Sequence, residues 1–482
     1  MATINWPWAI VLCRFSDLPA VPRQPDYYRN LFTVNGTGGM CDYWRTVSCN
    51  TLDLTGSQVF GWFTMNHVST ELAAVTLPGH RKIPVQWGIE AAQANGVNLA
   101  PFRSILVVQN AGNTHGAAGN GILIIHRDPY LCEFGFICHE MGHGFGLPDS
   151  WAAGNPDEEY GDGWDVMSWQ TNTYNFLISF QDAAGRATVG LNARNLHALN
   201  AIPTGRLWSP AKADFSQQIT LDPLNQIIIG NHGFLIAAIP PGGTRPKRAN
   251  NSAFTIEFHQ KAGWDQAIPE DAVIIHEIRD NGLSYLLPGV RGQFVAGQQF
   301  VTPDPKVYVR VMAIDHAIGT ATVSLWDIPE GSLRREYSDA RVFLINNGTK
   351  RWVVSPNALF ALGKTWADVR VVPDGGLDDV PVGSDVHELQ ISVTPFPVPL
   401  KRDVIVTVNV TEVDTGMSVG GQVKIDGRIV GNSNTPFSHT FRIRRVLADP
   451  GPPRIFEKIY PTGSVLVPGY PEKPLDFGFP EV

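Results

Sequence analysis

The first two hundred residues combine short apolar runs with segments of helical spacing. Three runs, 9–15 (AIVLCRF), 104–109 (SILVVQ) and 122–126 (ILIIH), have the length and composition of buried strands. Residues 82–95 and 130–145 instead repeat their apolar positions with the period of a helix, and each segment ends near glycine. This mixture predicts an α/β (α+β) domain over residues 1–205.

From residue 206 onward the chain consists of short stretches that alternate apolar and polar positions between prolines and glycines. Such a pattern is typical of β-sheet, so a β-rich domain is predicted over 206–330. Residues 330–335 (EGSLRR) are predicted to be a linker, followed by a small accessory module at 336–385 and a β-sandwich at 386–482. The fold class is therefore an α/β (α+β) domain followed by all-β domains.

Composition and charge exclude several classes of partner. The chain has 482 residues, which is more than one hydrophobic core normally serves. A net charge of -8 without local basic runs argues against nucleic acid, and no apolar run reaches the roughly 20 residues of a membrane helix. Five cysteines are too few for a disulfide scaffold, although Cys41 with Cys49, or Cys132 with Cys138, could close a short loop.

One short stretch contains residues that could bind a metal and take part in catalysis. Residues 138–151 read CHEMGHGFGLPDSW, in which His139 and His143 are four apart and therefore share one face of a helix. Both imidazoles can then bind a single tetrahedral zinc ion, with Glu140 beside it. A third protein ligand would leave one position for a water molecule, whose proton Glu140 can accept. This is the chemistry of peptide hydrolysis.

The residues after the second histidine extend the pattern. Gly146 allows the backbone to leave the helix with a positive φ, and Asp149 can then return a carboxylate to the metal as third ligand. A rival arrangement takes Glu158 or Glu159 as third ligand on a second helix. Proline and glycine flank those glutamates too closely for a helix, so Asp149 is preferred.

The pattern His-Glu-x-x-His-x-x-Gly-x-x-Asp resembles the metzincin zinc peptidases, with aspartate where most of them carry a third histidine. Metzincins have a methionine turn beneath the metal, and GWDVMSW supplies Met167. Within that clan the chain resembles the immune inhibitor A-like metalloendopeptidases, secreted bacterial zinc proteases. This likeness spans residues 8–330 and rests on AIVLCRFSDLP, on 37–65, on the motif itself and on 254–280.

The resemblance implies a metzincin-like catalytic domain that cuts protein or peptide substrates. It implies one catalytic zinc ion held by His139, His143 and Asp149, with Glu140 as general base and Met167 in the turn below. It also implies that residues 206–330 pack on the protease unit, and that the protein is secreted, although no signal peptide is visible in these residues.

The substrate cleft is less defined. Residues 117–128 are predicted to form the edge strand on which an extended peptide pairs, which would place His126 in the cleft unless that histidine is structural. Trp169 stands where many metzincins carry a tyrosine that stabilises the oxyanion. Tyr160 and Tyr174 are weak substitutes for it.

An acidic stretch at 155–165 suggests a second ion. Asp157, Asp162 and Asp165 are candidate ligands of a structural Ca²⁺, which favours several flexible oxygen ligands. The alternative is a solvated acidic loop.

The last third of the chain resembles accessory modules. Residues 340–383 look like a short module of bacterial surface and secreted proteins, and 415–441 resemble Ig-like or carboxypeptidase-regulatory-like sandwiches. Such modules space or tether enzymes, so cell-surface or glycan contact is expected here. They also permit an alternative function, a non-catalytic adhesion or binding protein whose metal site is only structural.

Overall fold

The computed structural model describes residues 3–75, 82–111, 118–119, 122–125, 134–154, 157–168, 176–177, 186–187, 189–226, 233–240, 253–288, 292–302, 306–447 and 456–479. The chain divides into two compact units, Met1–Lys212 with Gln217–Leu325, and Ala213–Ser216 with Trp326–Val482. Among the described residues, no helix has the length and apolar character needed to span a membrane.

The first unit contains both helices and strands. Its strands are β1 (Ile4–Asn5), β2 (Trp8–Arg14), β3 (Leu52–Asp53), β4 (Gln58–Thr64), β5 (Ser104–Gln109), β6 (Ala118–Gly119), β7 (Ile122–Ile125), β8 (Trp151–Ala152), β9 (Glu158–Glu159), β10 (Phe176–Leu177), β11 (Arg186–Ala187), β12 (Leu207–Trp208), β13 (Ser216–Leu221), β14 (Ile236–Ile239), β15 (Ala253–His259), β16 (Ala272–Ile278), β17 (Ser284–Leu287), β18 (Gln299–Val301), β19 (Val307–Asp315) and β20 (Thr320–Asp327). Its helices are α1 (Pro25–Phe32), α2 (Met40–Val47), α3 (Leu72–Val75), α4 (Lys82–Ala94), α5 (Phe134–Gly144) and α6 (Ala193–Ala198).

A five-stranded sheet organises the N-terminal part of this unit, in the order β4-β2-β5-β7-β6. Four strands run parallel, and β6 at the edge pairs antiparallel with β7. The central strand β2 is buried over nearly its whole length, as its unbroken apolar sequence predicts. The three predicted strands and the helix at 82–95 are confirmed, and the stretch 117–128 reaches the sheet edge through β6.

Helix α5 lies inside the largest core cluster of this unit. Every residue of α5 except His143 is buried, because its sequence, FGFICHEMGHG, is apolar or glycine on almost every face. Phe134 packs edge-to-face on Tyr43 of α2, and Phe145, directly after the helix, contacts Trp8 of β2 and Trp44 of α2, which are both fully buried. The helix that bears the motif is therefore held rigidly from several sides.

A second sheet joins the two segments predicted as separate domains. Its seven strands follow the order β12-β14-β15-β16-β17-β8-β9, so β8 and β9 from the N-terminal part pair with strands of the β-rich segment. Strand β8 runs parallel to β17, with Trp151 opposite Tyr285 and Ala152 opposite Leu286. A separate four-stranded sheet has the order β13-β20-β19-β18. The predicted boundary at residue 205 stays a prediction, but one sheet spans it.

The cysteines of the described residues are thiols. Cys13, Cys41, Cys49 and Cys138 are unpaired, so the suggested loop between Cys41 and Cys49 is not closed. Burial raises the pKa of Cys41 to about 12 and that of Cys49 to about 11, which keeps both thiols protonated and unreactive. Cys132 lies outside the described residues.

The second unit is almost entirely β. Its strands are β21 (Leu333–Glu336), β22 (Phe343–Asn346), β23 (Thr349–Trp352), β24 (Val369–Val372), β25 (Leu389–Thr394), β26 (Asp403–Glu412), β27 (Gln422–Ile425), β28 (Arg428–Asn432), β29 (Phe437–Thr440), β30 (Arg444–Leu447), β31 (Phe456–Ile459), β32 (Gly463–Leu466) and β33 (Lys473–Pro474), with helix α7 (Pro356–Ala361). Sheets β25-β26-β29 and β28-β27-β32-β33 contribute to one core of mostly valine and phenylalanine, which agrees with the predicted all-β modules.

The predicted linker at 330–335 is wrong. Residues 333–336 form β21, which pairs with β22 and β24, and both Leu333 and Arg334 are buried. The guanidinium of Arg334 donates to the carbonyl of Asp327 and to the carboxylate of Asp214, so its charge is compensated. The two arginines in this stretch gave it the appearance of a solvated connection.

Close packing of α5 against the sheet predicts that Gly144 tolerates no side chain. A Cβ at this position would lie 2.3 Å from Cη2 of Trp8, a rigid and fully buried ring. We expect Gly144→Ala to destabilise the protein by about 1–3 kcal/mol through overpacking, less about 1 kcal/mol of gained helix propensity. Urea unfolding measures the difference. Gly420→Ala, where no heavy atom lies within 4 Å of the added Cβ, is the control. Equal stability of both variants would contradict the packing described.

Candidate metal centre

Helix α5 places the two histidines of the motif one turn apart on the same face. The ring centroids of His139 and His143 are 4.7 Å apart, and their Nε2 atoms are 3.2 Å apart. His139 is buried, whereas the side chain of His143 at the end of the helix keeps 23% of its surface exposed. The two imidazoles therefore converge on one point that solvent reaches from the side of His143.

The chain leaves α5 through a turn that needs glycine. Gly146 has a φ of +87°, a conformation that side chains with a Cβ adopt only with strain. The amide of Leu147 donates to the carbonyl of Gly142 at 3.0 Å, and the amide of Gly146 donates to that of His143 at 2.9 Å. This pair of bonds is a Schellman motif, which ends the helix and reverses the chain. The reversal returns Asp149 to the two histidines.

Three potential ligand atoms meet at this point. Oδ1 of Asp149 lies 3.6 Å from Nε2 of His139 and 3.3 Å from Nε2 of His143. Zinc binds nitrogen and oxygen at about 2.0–2.1 Å in a tetrahedron, which puts neighbouring ligands about 3.3 Å apart. The three separations therefore match one triangular face of a zinc tetrahedron, and the fourth vertex is left for a ligand from outside the protein.

Backbone carbonyls orient both imidazoles. Nδ1 of His139 faces the carbonyl of Val166 at 3.1 Å, and Nδ1 of His143 faces that of Leu147 at 2.8 Å. When both imidazoles are neutral, the single N–H of each donates to its carbonyl, and both Nε2 atoms present lone pairs to the centre. Oδ1 of Asp149 is also buried there, 3.3 Å from Nε2 of His143. A cation stabilises such a group of electron-pair donors, and a carbonyl behind each histidine is the usual support of metal ligands.

Charge and burial set the protonation of the two histidines. Burial and the neighbouring His143 lower the pKa of His139 to about 4, so this imidazole is neutral near pH 7, as metal binding requires. Burial alone would lower the pKa of His143, but Asp149, the carbonyl of Leu147 and the charge of Glu140 together raise it above its ordinary value. Glu140 is itself buried and close enough to act on His143.

A turn at Val166–Ser168 supports α5 at the level of the histidines. Met167 is fully buried, and a Cβ on Gly142 would lie 2.4 Å from its Sδ, so glycine permits this close contact. The amide of Ser150 donates to the carbonyl of Met167 at 3.2 Å, and the preceding carbonyl, that of Val166, is the one that orients His139. The predicted methionine turn thus contacts both the helix and the loop that carry the ligands.

The three aspartates proposed as calcium ligands have different protein partners. Asp157 forms an ion pair with Arg279, while Asp162 lies 2.9 Å from His276. Asp165 accepts hydrogen bonds at the methionine turn, and burial raises its pKa to about 7. Within the described part of the chain, these carboxylates do not form a common group. Calcium binding stays a prediction.

Several other predicted residues can now be placed. His126, Trp169 and Tyr174 lie outside the described residues, so their roles in the cleft stay predictions. The ring of Tyr160 lies 6.0 Å from the ring of His139. Glu158 and Glu159 are exposed on strand β9 and do not join the two histidines, so the geometry favours Asp149 as third ligand.

A second group of candidate ligands lies in the second unit, where sequence reasoning found none. It consists of His387, Glu412 and Asp414, which are too far apart in the chain to form a motif. Nδ1 of His387 already bonds the Asp414 carboxylate at 2.7 Å, and Glu412 accepts a hydrogen bond from Thr415. The arrangement is that of hydrogen-bonded ion pairs, so we assign it no metal.

No model of a known protein family matches this chain, and the curated proteins contain no significant match to it.

The geometry predicts that Asp149 is required for metal binding. We expect Asp149→Ala to weaken zinc binding by at least the ~100-fold that loss of an outer-shell partner can cost, because only two imidazoles would remain. Asp149→His should restore part of the affinity, since imidazole also binds zinc well. Zinc retained after dialysis against a mild chelator measures both effects. Glu158→Ala and Glu159→Ala are the matched controls, and loss of zinc in these variants with retention in Asp149→Ala would establish the rival arrangement.

Proposed function

We propose that this protein is a zinc-dependent endopeptidase that hydrolyses peptide bonds in protein substrates. The observation that carries the proposal is the convergence of His139, His143 and Asp149 at zinc-ligand spacing, with a buried glutamate next to the first histidine. A structural zinc site is normally closed by four protein ligands. Three ligands beside a potential general base are instead the composition of a catalytic site.

In the proposed reaction the metal and the protein side chains have separate roles. A bound zinc ion would lower the pKa of a coordinated water toward neutrality and polarise the substrate carbonyl. Glu140 accepts a proton from the attacking water while the water oxygen bonds to the carbonyl carbon. It then donates that proton to the leaving amine as the C–N bond breaks. The carbonyls of Val166 and Leu147 meanwhile hold the imidazoles in the orientation that keeps the ligand atoms in place.

The five-stranded sheet offers a place for the substrate. Strand β6 lies at the edge of this sheet, and α5 contacts both β6 and β7. An extended peptide can add to such an edge through main-chain hydrogen bonds, which makes few demands on its sequence. The proposal therefore includes extended or unfolded protein segments as substrates, lying along β6 toward the ligands of α5.

The resemblance to the immune inhibitor A-like metalloendopeptidases supports the same proposal. It suggests a metzincin-like catalytic domain and secretion, and it leaves the oxyanion partner open because Trp169 replaces the usual tyrosine. Tyr160 is a candidate for that role, since it lies beside His139. Cell-surface or glycan contact through the second unit belongs to the same resemblance and stays a prediction.

Replacing Glu140 by glutamine tests the catalytic role. Glu140→Gln keeps the size of this buried side chain but removes the base, so we expect kcat/KM for a casein or gelatin substrate to fall by about 10²–10⁴-fold. Bound zinc should stay at the parent level, because no ligand has changed.

Glu159→Gln, an exposed glutamate on β9, is the control for a change of charge. Digestion by Glu140→Gln at the parent rate would contradict the mechanism. A parent protein that binds zinc but digests no protein substrate would favour the alternative of a binding protein with a structural metal.

A further inference from the structure

The chain segment that carries the third ligand belongs to the sheet of the β-rich segment. One residue after Asp149 comes Ser150, and then strand β8, which pairs with β17. The amide of Ala153 adds a further bond to the carbonyl of Leu286 at 2.9 Å. The backbone that presents Asp149 is therefore fixed by a strand from more than 130 residues further along the chain, as Trp151 opposite Tyr285 shows.

Ser150 also joins this segment to a buried polar network. Its hydroxyl contacts the carboxylate of Asp165 and lies 3.4 Å from the side-chain amides of Asn192 and Asn195. Oδ1 of Asp165 accepts a hydrogen bond from the amide of Met167 at 3.2 Å. The network thus connects the loop of the third ligand to the turn whose Val166 carbonyl orients the first.

Two histidines of the β-rich segment face the carboxylates of this network. Burial alone would lower the pKa of His259 and of His276, but the facing carboxylates raise both above the ordinary value and favour the cationic form. His276 on β16 places its Nε2 2.9 Å from Asp162 and its Nδ1 3.3 Å from Glu257. His259 on β15 continues the chain of contacts, 3.2 Å from Glu257 and 2.8 Å from Asp265. All five side chains are fully buried. Carboxylates buried this deeply require positive or hydrogen-bonding partners, because no water can replace them.

The remaining links are hydrogen bonds across the two parts of the unit. The side-chain amide of Asn192 donates to Asp162 at 3.2 Å and to Ser284 of β17 at 3.1 Å. The amide of Gly190 donates to Asp265 at 2.8 Å. An unbroken set of buried contacts therefore runs from His259 and His276 to Ser150, which adjoins the ligand Asp149.

We propose that the β-rich segment is a positioning element of the metal centre, and that His276 and Ser150 are positioning residues for Asp149 and the methionine turn. The inference rests on the proposed zinc site. Replacing His276 removes the imidazole that faces Asp162 and Glu257. The strands and the turn that hold Asp149 then shift, because two buried carboxylates have lost a partner. A displacement of the order of 1 Å at such a site can lower the reaction rate about 100-fold. Loss of an outer-shell partner lowers metal affinity about 10- to 100-fold.

The test measures zinc affinity in the full-length protein, by competition with a chromophoric chelator at neutral pH. We expect the Kd for zinc to rise about 10- to 100-fold in His276→Gln and in Ser150→Ala, although neither residue is a ligand. Cobalt-substituted samples should show a changed visible spectrum, which reports on the geometry around the metal. Val323→Ala is the control, because Val323 is fully buried on β20 in the other sheet of the β-rich segment. It should lower the melting temperature and leave the zinc Kd and the cobalt spectrum unchanged.

The inference would be overturned if His276→Gln and Ser150→Ala both kept the zinc Kd and the cobalt spectrum of the parent protein. An equal loss of zinc affinity in Val323→Ala would also overturn it. If His276→Gln does not fold, Ser150→Ala decides alone, since it removes one hydroxyl. A parent protein that takes up no zinc would contradict the proposed function itself. A parent that binds zinc, with variants that bind it equally well, would contradict only the positioning role.

Discussion

Two imidazole nitrogens and a carboxylate oxygen are held within 3.6 Å of one another. All three atoms carry lone pairs, so their proximity is unfavourable unless a positive charge lies between them. A proton on His143, whose pKa Asp149 raises, supplies only part of this charge, because burial and His143 keep His139 neutral near pH 7. A divalent metal ion satisfies the arrangement, and much of the surrounding structure can be understood as holding these atoms together.

Each ligand is fixed by a different structural device. A buried helix carries the two histidines, a Schellman turn at Gly146 brings Asp149 back to them, and carbonyls of Val166 and Leu147 orient the rings. Ser150 then ties the loop to the methionine turn. Ser150 and β8 in turn contact Asn192, Asn195 and strand β17, so distant segments of the chain hold the loop that carries Asp149. Such preorganisation lets a site act on a substrate without rearranging its own ligands.

Local patterns in the sequence predicted much of this centre. Spacing placed His139 and His143 on one helix face, and Gly146 predicted the turn that follows. The partners from the β-rich segment were not predictable. Strand β8 has two residues, too few for a periodic signal, and its pairing with β17 is decided by tertiary packing. His276 lies in the apolar run AVIIHEI, where a buried imidazole is not distinguished from one on a solvent face.

The same limit of local sequence patterns explains why residues 330–335 were wrongly predicted to be a linker. Leu333–Glu336 contains two arginines, a composition typical of exposed connections, yet it forms a strand in which Arg334 is fully buried. Carbonyl and carboxylate partners that are distant in the sequence make this burial tolerable. Local composition indicates that burying such a charge is unfavourable, but it does not show the distant carbonyl and carboxylate groups that compensate the charge.

X-ray absorption at the zinc edge, together with anomalous diffraction from metal-loaded crystals, tests the central claim most directly. We expect one zinc ion per chain, bound to two imidazole nitrogens and one carboxylate oxygen of His139, His143 and Asp149 at about 2.0–2.1 Å, with a water as fourth ligand. An anomalous peak elsewhere in the molecule, a shell of six oxygens, or a fourth protein ligand closing the site would contradict the account.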